Sequence, residues 1–260
     1  MTIKESILFG VLQGLTEFLP ISSSGHLLLI SKFLNRETLS PLFIIFLHGG
    51  TLLSILIYFL HDIKRLLLSL FHLKDKSLHN LRRLFSFVIV GSLPIAIVGA
   101  LGEKLFLPTF QEFSLLPIFF LITATLLYFS DKYPKRKVRH LSYANSFLIG
   151  TAQILSLFPG ISRSGITVAT GLFLGVKRKE CFRFSFFLAI PAILGAMVKE
   201  IVVADVYIGK EEIVGFLTAL IIGFFSLFLF HKILAKRRLY YFSFYLYGIA
   251  FLSIIIALTR

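Results

Sequence analysis

The chain has 260 residues, of which 57% are hydrophobic and only 15% are charged, and its formal net charge is +14. A soluble domain carries about 45–50% apolar and about 25% charged residues, so the composition excludes an ordinary soluble fold. The cations lie in short segments between apolar runs, as the positive-inside rule predicts for a membrane protein, and not on a basic face with interleaved aromatic residues. We therefore predict an integral membrane protein and exclude nucleic acid as a partner.

The apolar segments are of two kinds. Six uninterrupted runs are long enough to cross a ~30 Å hydrocarbon core as helices. They lie at about 41–60, 84–102, 114–130, 182–200, 213–231 and 240–258. Two other stretches, about 6–31 and 143–175, are interrupted by Pro, Gly and clustered Ser. Because broken backbone is tolerated at membrane depth only where protein or a watery cavity covers it, we predict that both are re-entrant helical hairpins.

Loop charges predict the orientation of these segments. Most Lys and Arg residues fall in four loops, at 61–83, 131–140, 177–183 and 232–238, whereas the segments 103–116 and 200–212 are acidic. If the basic loops are cytoplasmic, every acidic loop is external. Both chain termini and both ends of the first hairpin are then external, and both ends of the second hairpin are cytoplasmic.

The two interrupted stretches are copies of each other. Gly10–Gly25 and Gly150–Gly165 align at an offset of 140 residues, and eight of sixteen positions are identical. Each copy precedes three spans, and the loop charges invert the second copy. We therefore predict an all-α polytopic membrane domain made of two inverted repeats, about 1–132 and 140–260. In such folds the site lies near the midplane, where the broken helices meet.

The differences between the two copies indicate where the chemistry lies. The first hairpin has Glu17, Ser23 and His26 where the second has Leu157, Arg163 and Ile166. One hairpin thus supplies acid–base groups and the other supplies a cation. If the hairpins meet, Glu, Ser, His and Arg share one pocket.

Plainer interpretations exist for several of these residues. Intramembrane Ser and Gly often only allow helices to approach closely. Gln13 could hydrogen-bond to backbone groups that the broken helix leaves without a partner. His26 could be a core histidine with satisfied hydrogen bonds, and the role of His48 inside a span stays open. Glu17 and Arg163 are harder to explain structurally, because ionisable groups inside a membrane are costly and usually functional.

The pattern favours an anionic ligand. Ser-rich turns before helix N-termini present backbone amides and the positive end of a helix dipole. An Arg guanidinium matches the oxygens of a phosphate. A pocket that only binds phosphate has no need of Glu and His, so their presence suggests proton transfer during bond cleavage.

At these residues the chain resembles a known family, the undecaprenyl-diphosphate phosphatases or bacitracin-resistance family. The two family motifs are present in full at Gln13–His26 and at Pro159–Thr167. The resemblance implies hydrolysis of a polyprenyl diphosphate carrier to its monophosphate, recycling of that carrier for peptidoglycan synthesis, and bacitracin resistance. It also implies a multi-pass protein of the bacterial cytoplasmic membrane with its active site open to the external side, and it leaves a homodimer open.

The resemblance also carries residue roles. It implies that Glu17, His26 and Arg163 are essential, and Ser23 matches a proposed nucleophile of the family. We predict that His26 protonates a leaving oxygen or activates water, with His26 as an alternative nucleophile. We assign diphosphate binding to six further residues: Gln13, Ser22, Ser24, Ser162, Ser164 and Thr167. The family implies a divalent cation, Mg²⁺ or Ca²⁺, and we predict that Glu17 is either its protein ligand or the general base. Many members carry Glu where this chain has Gln13, so more of the cation's ligands must come from the diphosphate.

Two rival functions remain at this stage. A lipid flippase or transporter often has inverted repeats and broken helices, and it would use the Arg and the helix termini. It would not need Glu17 beside Ser23 and His26. A structural membrane subunit would tolerate the loss of Glu17 or Arg163.

Overall fold

The computed structural model of the chain describes residues 1–36, 39–72, 75, 78–101, 113–132, 140–201 and 208–259. Within these ranges the chain is all-helical, as predicted. The first half contains α1 (Ile3–Phe18), α2 (Ser23–Phe33), α3 (Pro41–Tyr58), α4 (Leu60–Phe71), α5 (His79–Leu101) and α6 (Leu116–Lys132). The second half contains α7 (Tyr143–Gln153), α8 (Arg163–Phe173), α9 (Arg178–Ile201), α10 (Lys210–Ala235) and α11 (Tyr240–Thr259).

Six of the described helices are long and apolar enough to cross a membrane. They cover Pro41–Tyr58, His79–Leu101, Phe113–Lys132, Arg178–Val198, Lys210–Ala235 and Tyr240–Leu258. These spans overlap all six runs predicted from the sequence, so the chain is a multi-pass membrane protein. Much of the predicted loop sequence, including 102–112, 133–139 and 202–207, lies outside the described residues.

The segment 61–83, predicted to be a loop, instead contains α4 and the first turn of α5. Leu66 and Ser69 of α4 are buried, and α4 packs against α5. Arg82 of α5 closes the carboxyl end of α4 by donating from Nη1 to the carbonyl oxygens of Ser69 and His72. The loop prediction was wrong because α4 is too short and too charged to resemble a span, and its tertiary cap is not visible in the sequence.

Each predicted hairpin is a pair of helices joined by a short non-helical or 3-10 turn. The chain turns between Phe18 and Ser23 in the first hairpin, and between Gln153 and Arg163 in the second. The packing is reciprocal between the halves: α1 lies along α10, and α7 lies along α5. An internal repeat leads one to expect such equivalent packing in the two halves. The division into inverted repeats at 1–132 and 140–260 stays a prediction.

An aromatic cluster fixes the end of α1. The ring of Phe18, fully buried, meets the edge of Phe186 with ring centroids 5.7 Å apart. Phe186 in turn packs on Phe182 and Phe230, with centroids 4.7 and 5.9 Å apart. Because Phe18 follows Glu17 directly, this packing holds the last turn of α1 and its carboxylate in place.

Candidate active site

The two hairpin turns end in matching helix caps. The Ser22 hydroxyl accepts the Gly25 N–H at 3.3 Å, and the Ser162 hydroxyl accepts the Gly165 N–H at 3.1 Å. The carbonyls of the same two serines accept the next amides, at 3.2 and 2.8 Å. Four first-turn amides, those of residues 23, 24, 163 and 164, keep no acceptor within the described part of the chain. These amides form two adjacent donor sets of the kind that binds anions at helix N-termini.

The hairpins touch directly at these turns. The Gly160 N–H donates to the Ser22 hydroxyl at 3.1 Å, and the Ser164 hydroxyl donates to the Leu19 carbonyl at 3.3 Å. A Cβ on Gly25 would lie 2.9 Å from the Gly160 backbone, so only glycine allows this approach. The predicted meeting of the two hairpins is therefore present in the structure.

Glu17 joins the chemistry of both hairpins. Its Oε2 accepts the Ser23 hydroxyl at 2.6 Å, and its Oε1 accepts Nη2 of Arg163 at 2.8 Å. The Glu17 and Arg163 side chains are 8% and 11% exposed. A buried carboxylate that is already hydrogen-bonded to a hydroxyl is placed to receive that hydroxyl's proton.

Gln13 and His48 extend this network. Gln13 Nε2 lies 3.2 Å from Glu17 Oε2 and 3.1 Å from His48 Nδ1. Gln13 is fully buried, and its Oε1 has no hydrogen-bond partner among the residues that the structure describes. Because His48 Nδ1 faces a donor, the neutral ring carries its proton on Nε2.

His26 lies apart from that network. Its Nδ1 is 2.8 Å from the Ser22 carbonyl, and its Nε2 is 2.9 Å from the hydroxyl of Tyr245 on α11. The ring is 4% exposed and packs against the edge of Phe120. His26 forms no hydrogen bond with Glu17, Ser23 or Arg163. The structure therefore places three of the four predicted catalytic side chains in one hydrogen-bonded group and the fourth beside it.

A sequence model described as "Bacitracin resistance protein BacA" matches residues 6–252. The chain belongs to this family. It is 37% identical to an undecaprenyl-diphosphatase of Korarchaeum cryptofilum over 98% of this chain and 100% of the relative. It is also 37% identical to one of Syntrophotalea carbinolica, over 94% and 95%. An undecaprenyl-diphosphatase of Methanosphaera stadtmanae is 35% identical over 100% and 99%.

The remaining predicted residues of this BacA family member divide between the surface and the interior. Ser24 is exposed and Ser23 is half-buried, so the first turn of α2 forms the open side of the site. Thr167 is buried, and its hydroxyl lies 2.7 Å from that of Ser185 on α9. Ser162 and Ser164 are also buried, with their hydroxyls 3.2 Å apart. The second hairpin turn is thus supported from the protein interior by Thr167, Ser162 and Ser164.

Sequence reasoning missed three polar residues that complete this arrangement. Thr123 of α6 accepts the Ser162 N–H at 3.2 Å and donates to the Gly160 carbonyl at 3.1 Å. Ser185 supplies a carbonyl 3.4 Å from Nη1 of Arg163, and Tyr245 meets His26. Each lies in a long apolar span, two of which contain several other hydroxyl residues. The sequence gives no signal that separates these three from hydroxyls bonded to their own helix.

A metal held by protein alone does not fit this site. The described residues contain no group of three or more His, Cys, Asp or Glu side chains. The buried Oε1 of Gln13, beside Glu17 and without a partner, fits a cation that takes most of its ligands elsewhere. Mg²⁺ binds in this way, through one or two protein oxygens together with phosphate oxygens and waters.

Proposed function

We propose that the chain hydrolyses undecaprenyl diphosphate, or a similar polyprenyl diphosphate, to the lipid monophosphate and inorganic phosphate. The observation that carries the proposal is Glu17, which accepts hydrogen bonds from Ser23 of its own hairpin and from Arg163 of the other. The family and the named diphosphatases support the same activity.

The terminal phosphate would be held by charge and by backbone amides. Arg163 uses one N–H of Nη2 for Glu17 and one of Nη1 for the Ser185 carbonyl, so its other N–H groups remain for phosphate oxygens. The free first-turn amides of α2 and α8 lie on either side of the junction between the hairpins. As charge shifts in the transition state, these fixed donors stabilise it without reorganisation.

The phosphoryl transfer follows from the Ser23–Glu17 contact. Ser23 Oγ attacks the terminal phosphorus while its proton passes to Glu17, and the bond to the bridging oxygen breaks to release the lipid monophosphate. Water then attacks the phosphoserine and releases inorganic phosphate. The alternative nucleophile, His26, has less support because both of its ring nitrogens already have partners.

A divalent cation would be held by Glu17 and the free Oε1 of Gln13 together with the diphosphate. It would neutralise charge on the diphosphate oxygens. Because Ca²⁺ takes six to eight oxygen ligands, Mg²⁺ suits this sparse protein contribution better.

We place the site on the external side of the cytoplasmic membrane, because the loop charges put both ends of the first hairpin outside. There it would recycle the lipid carrier for peptidoglycan synthesis and confer bacitracin resistance. A flippase is less favoured, because it would not need the hydroxyl–carboxylate pair of Ser23 and Glu17.

The test is phosphate release from undecaprenyl diphosphate by the purified protein in detergent with Mg²⁺. We expect release by the parent and none by Glu17→Ala or Arg163→Ala. Arg183→Ala removes an ion pair with Asp62 that includes no residue of either hairpin, and this variant should stay active. A folded parent that releases no phosphate with any of several divalent metals would overturn the proposal, as would full activity of Glu17→Ala.

A further inference from the structure

Tyr245 of α11 reaches the hairpin junction, where it contacts His26. Its ring lies parallel to the His26 ring, with an interplanar angle of 5° and centroids 5.7 Å apart. Its hydroxyl lies 2.9 Å from His26 Nε2, although 45% of its own surface is exposed. Tyr245 thus separates a buried imidazole from the lipid-facing surface of the protein.

The hydrogen bonds of His26 fix its proton positions. The Ser22 carbonyl, 2.8 Å from Nδ1, can only accept, so Nδ1 carries a hydrogen. In the neutral ring Nε2 is therefore an acceptor, and the Tyr245 hydroxyl is its donor. A partner on one ring nitrogen sets both the tautomer and the orientation of an imidazole.

His26 also stabilises an unusual backbone conformation at Ser22. Ser22 has φ 70°, a conformation that is uncommon for a residue other than glycine and needs support from its surroundings. Its carbonyl is held by His26, and its hydroxyl accepts the Gly160 N–H of the other hairpin. The next residue is Ser23, so the Ser22 conformation determines where the Ser23 hydroxyl points.

We propose that Tyr245 is a positioning residue for the phosphatase reaction, acting through His26 on the turn that carries Ser23. The inference rests on the proposed function, because it assigns a role in that reaction. It links the last helix of the chain to the first hairpin, over 219 residues of sequence. Tyr245 contacts no reacting atom, so its effect must appear in turnover and not in substrate affinity.

The first test compares Tyr245→Phe with Tyr247→Phe, a control on the same helix that is 37% exposed. Tyr245→Phe keeps the ring and removes only the hydroxyl. We expect kcat to fall about five- to tenfold, the effect of losing one neutral hydrogen bond, with KM unchanged. Tyr247→Phe should match the parent. Equal kcat values for the two variants would overturn the proposal.

A double-mutant cycle separates positioning from general support of the fold. In a His26→Ala background, Tyr245→Phe should cause no further loss, because its route to Ser23 is already removed. The rates are measured in single turnover with excess enzyme, so that slow variants remain measurable. An equal loss in both backgrounds would overturn the proposal. If His26→Ala is inactive, the kcat-against-KM comparison alone decides, and an inactive parent would instead overturn the proposed function.

Discussion

Glu17 and Arg163 form an ion pair across the junction of the two hairpins, with Arg163 Nη2 donating to Glu17 Oε1 at 2.8 Å. The residues are 146 positions apart in sequence. Their side chains are only 8% and 11% exposed, so each charge depends on the other for compensation. The pair can form only when both halves of the chain have folded and met.

Breaking this pair should affect stability as well as catalysis. Either Glu17→Gln or Arg163→Met leaves one nearly buried charge without its partner, and each should cost about 3–5 kcal/mol of stability. The double variant removes both charges and should regain much of that loss while remaining inactive. Unfolding temperatures in detergent and phosphate-release rates test this together. A double variant less stable than both single variants would show that the pair itself contributes net stability.

Ser23→Ala should abolish turnover while the protein stays folded. If Ser23 is the nucleophile, kcat should fall by about 10³-fold or more, since no other hydroxyl of the described residues is bonded to Glu17. Ser92→Ala is the matched control, because in the described part of the chain the Ser92 hydroxyl bonds only to the Val88 carbonyl of its own helix. Trapping the phosphoenzyme and mapping it by mass spectrometry gives the direct test. Phosphate on His26 would contradict the assignment.

The part of the site that could be predicted from the sequence is the part that the internal repeat reveals. Comparing the two copies identified Glu17, Ser23 and Arg163, which the structure joins by hydrogen bonds. It could not predict that His26 turns away from them, because its partner Tyr245 lies 219 residues later in a helix with several tyrosines and no mark that sets this one apart. Contacts of this kind depend on tertiary packing and leave no periodic signal.

The same reasoning explains what the sequence predicted of the fold. The bilayer thickness sets the length of a span at about 18 or more apolar residues, so all six spans could be predicted from the sequence. The helix α4 (Leu60–Phe71) could not be predicted, because its stability comes from burial of Leu66 and from the Arg82 cap. Local composition therefore determines where the spans lie, whereas contacts with α5 stabilise the short helix α4.

Gly160→Ala should loosen the contact between the hairpins. Gly160 has φ +102°, and a Cβ there would lie 2.7 Å from the Phe119 Cβ. Both strain and overlap oppose the substitution, so we expect a loss of about 2–4 kcal/mol of stability and lower activity. Gly248→Ala, a helical position with nothing within 4 Å of its Cβ, should be neutral or slightly stabilising. Equal unfolding temperatures for the two variants would contradict this view of the junction.

Glu5 should make the first hairpin sensitive to acid. Hydrogen bonds from Arg36 and Thr2 lower the pKa of Glu5 from 4.5 to about 2. A lowered pKa stabilises the folded state above pH 4.5, and this contribution is lost as the pH falls towards 2. Glu5→Gln should therefore lower the unfolding temperature slightly at pH 7, and the difference from the parent should shrink at low pH. A difference that does not change with pH would count against the ion pair.

Gln13→Glu should raise the affinity of the site for a divalent cation. The substitution places a second carboxylate beside Glu17, where repulsion favours a bound cation, and Gln13 Oε1 already lacks a partner. We expect the Mg²⁺ concentration for half-maximal phosphate release to fall several-fold. Gln153→Glu is the matched control, since Gln153 aligns with Gln13 in the second hairpin and is also fully buried. It should lose stability that Mg²⁺ does not restore. An unchanged Mg²⁺ requirement in folded Gln13→Glu would remove Gln13 from the proposed cation site.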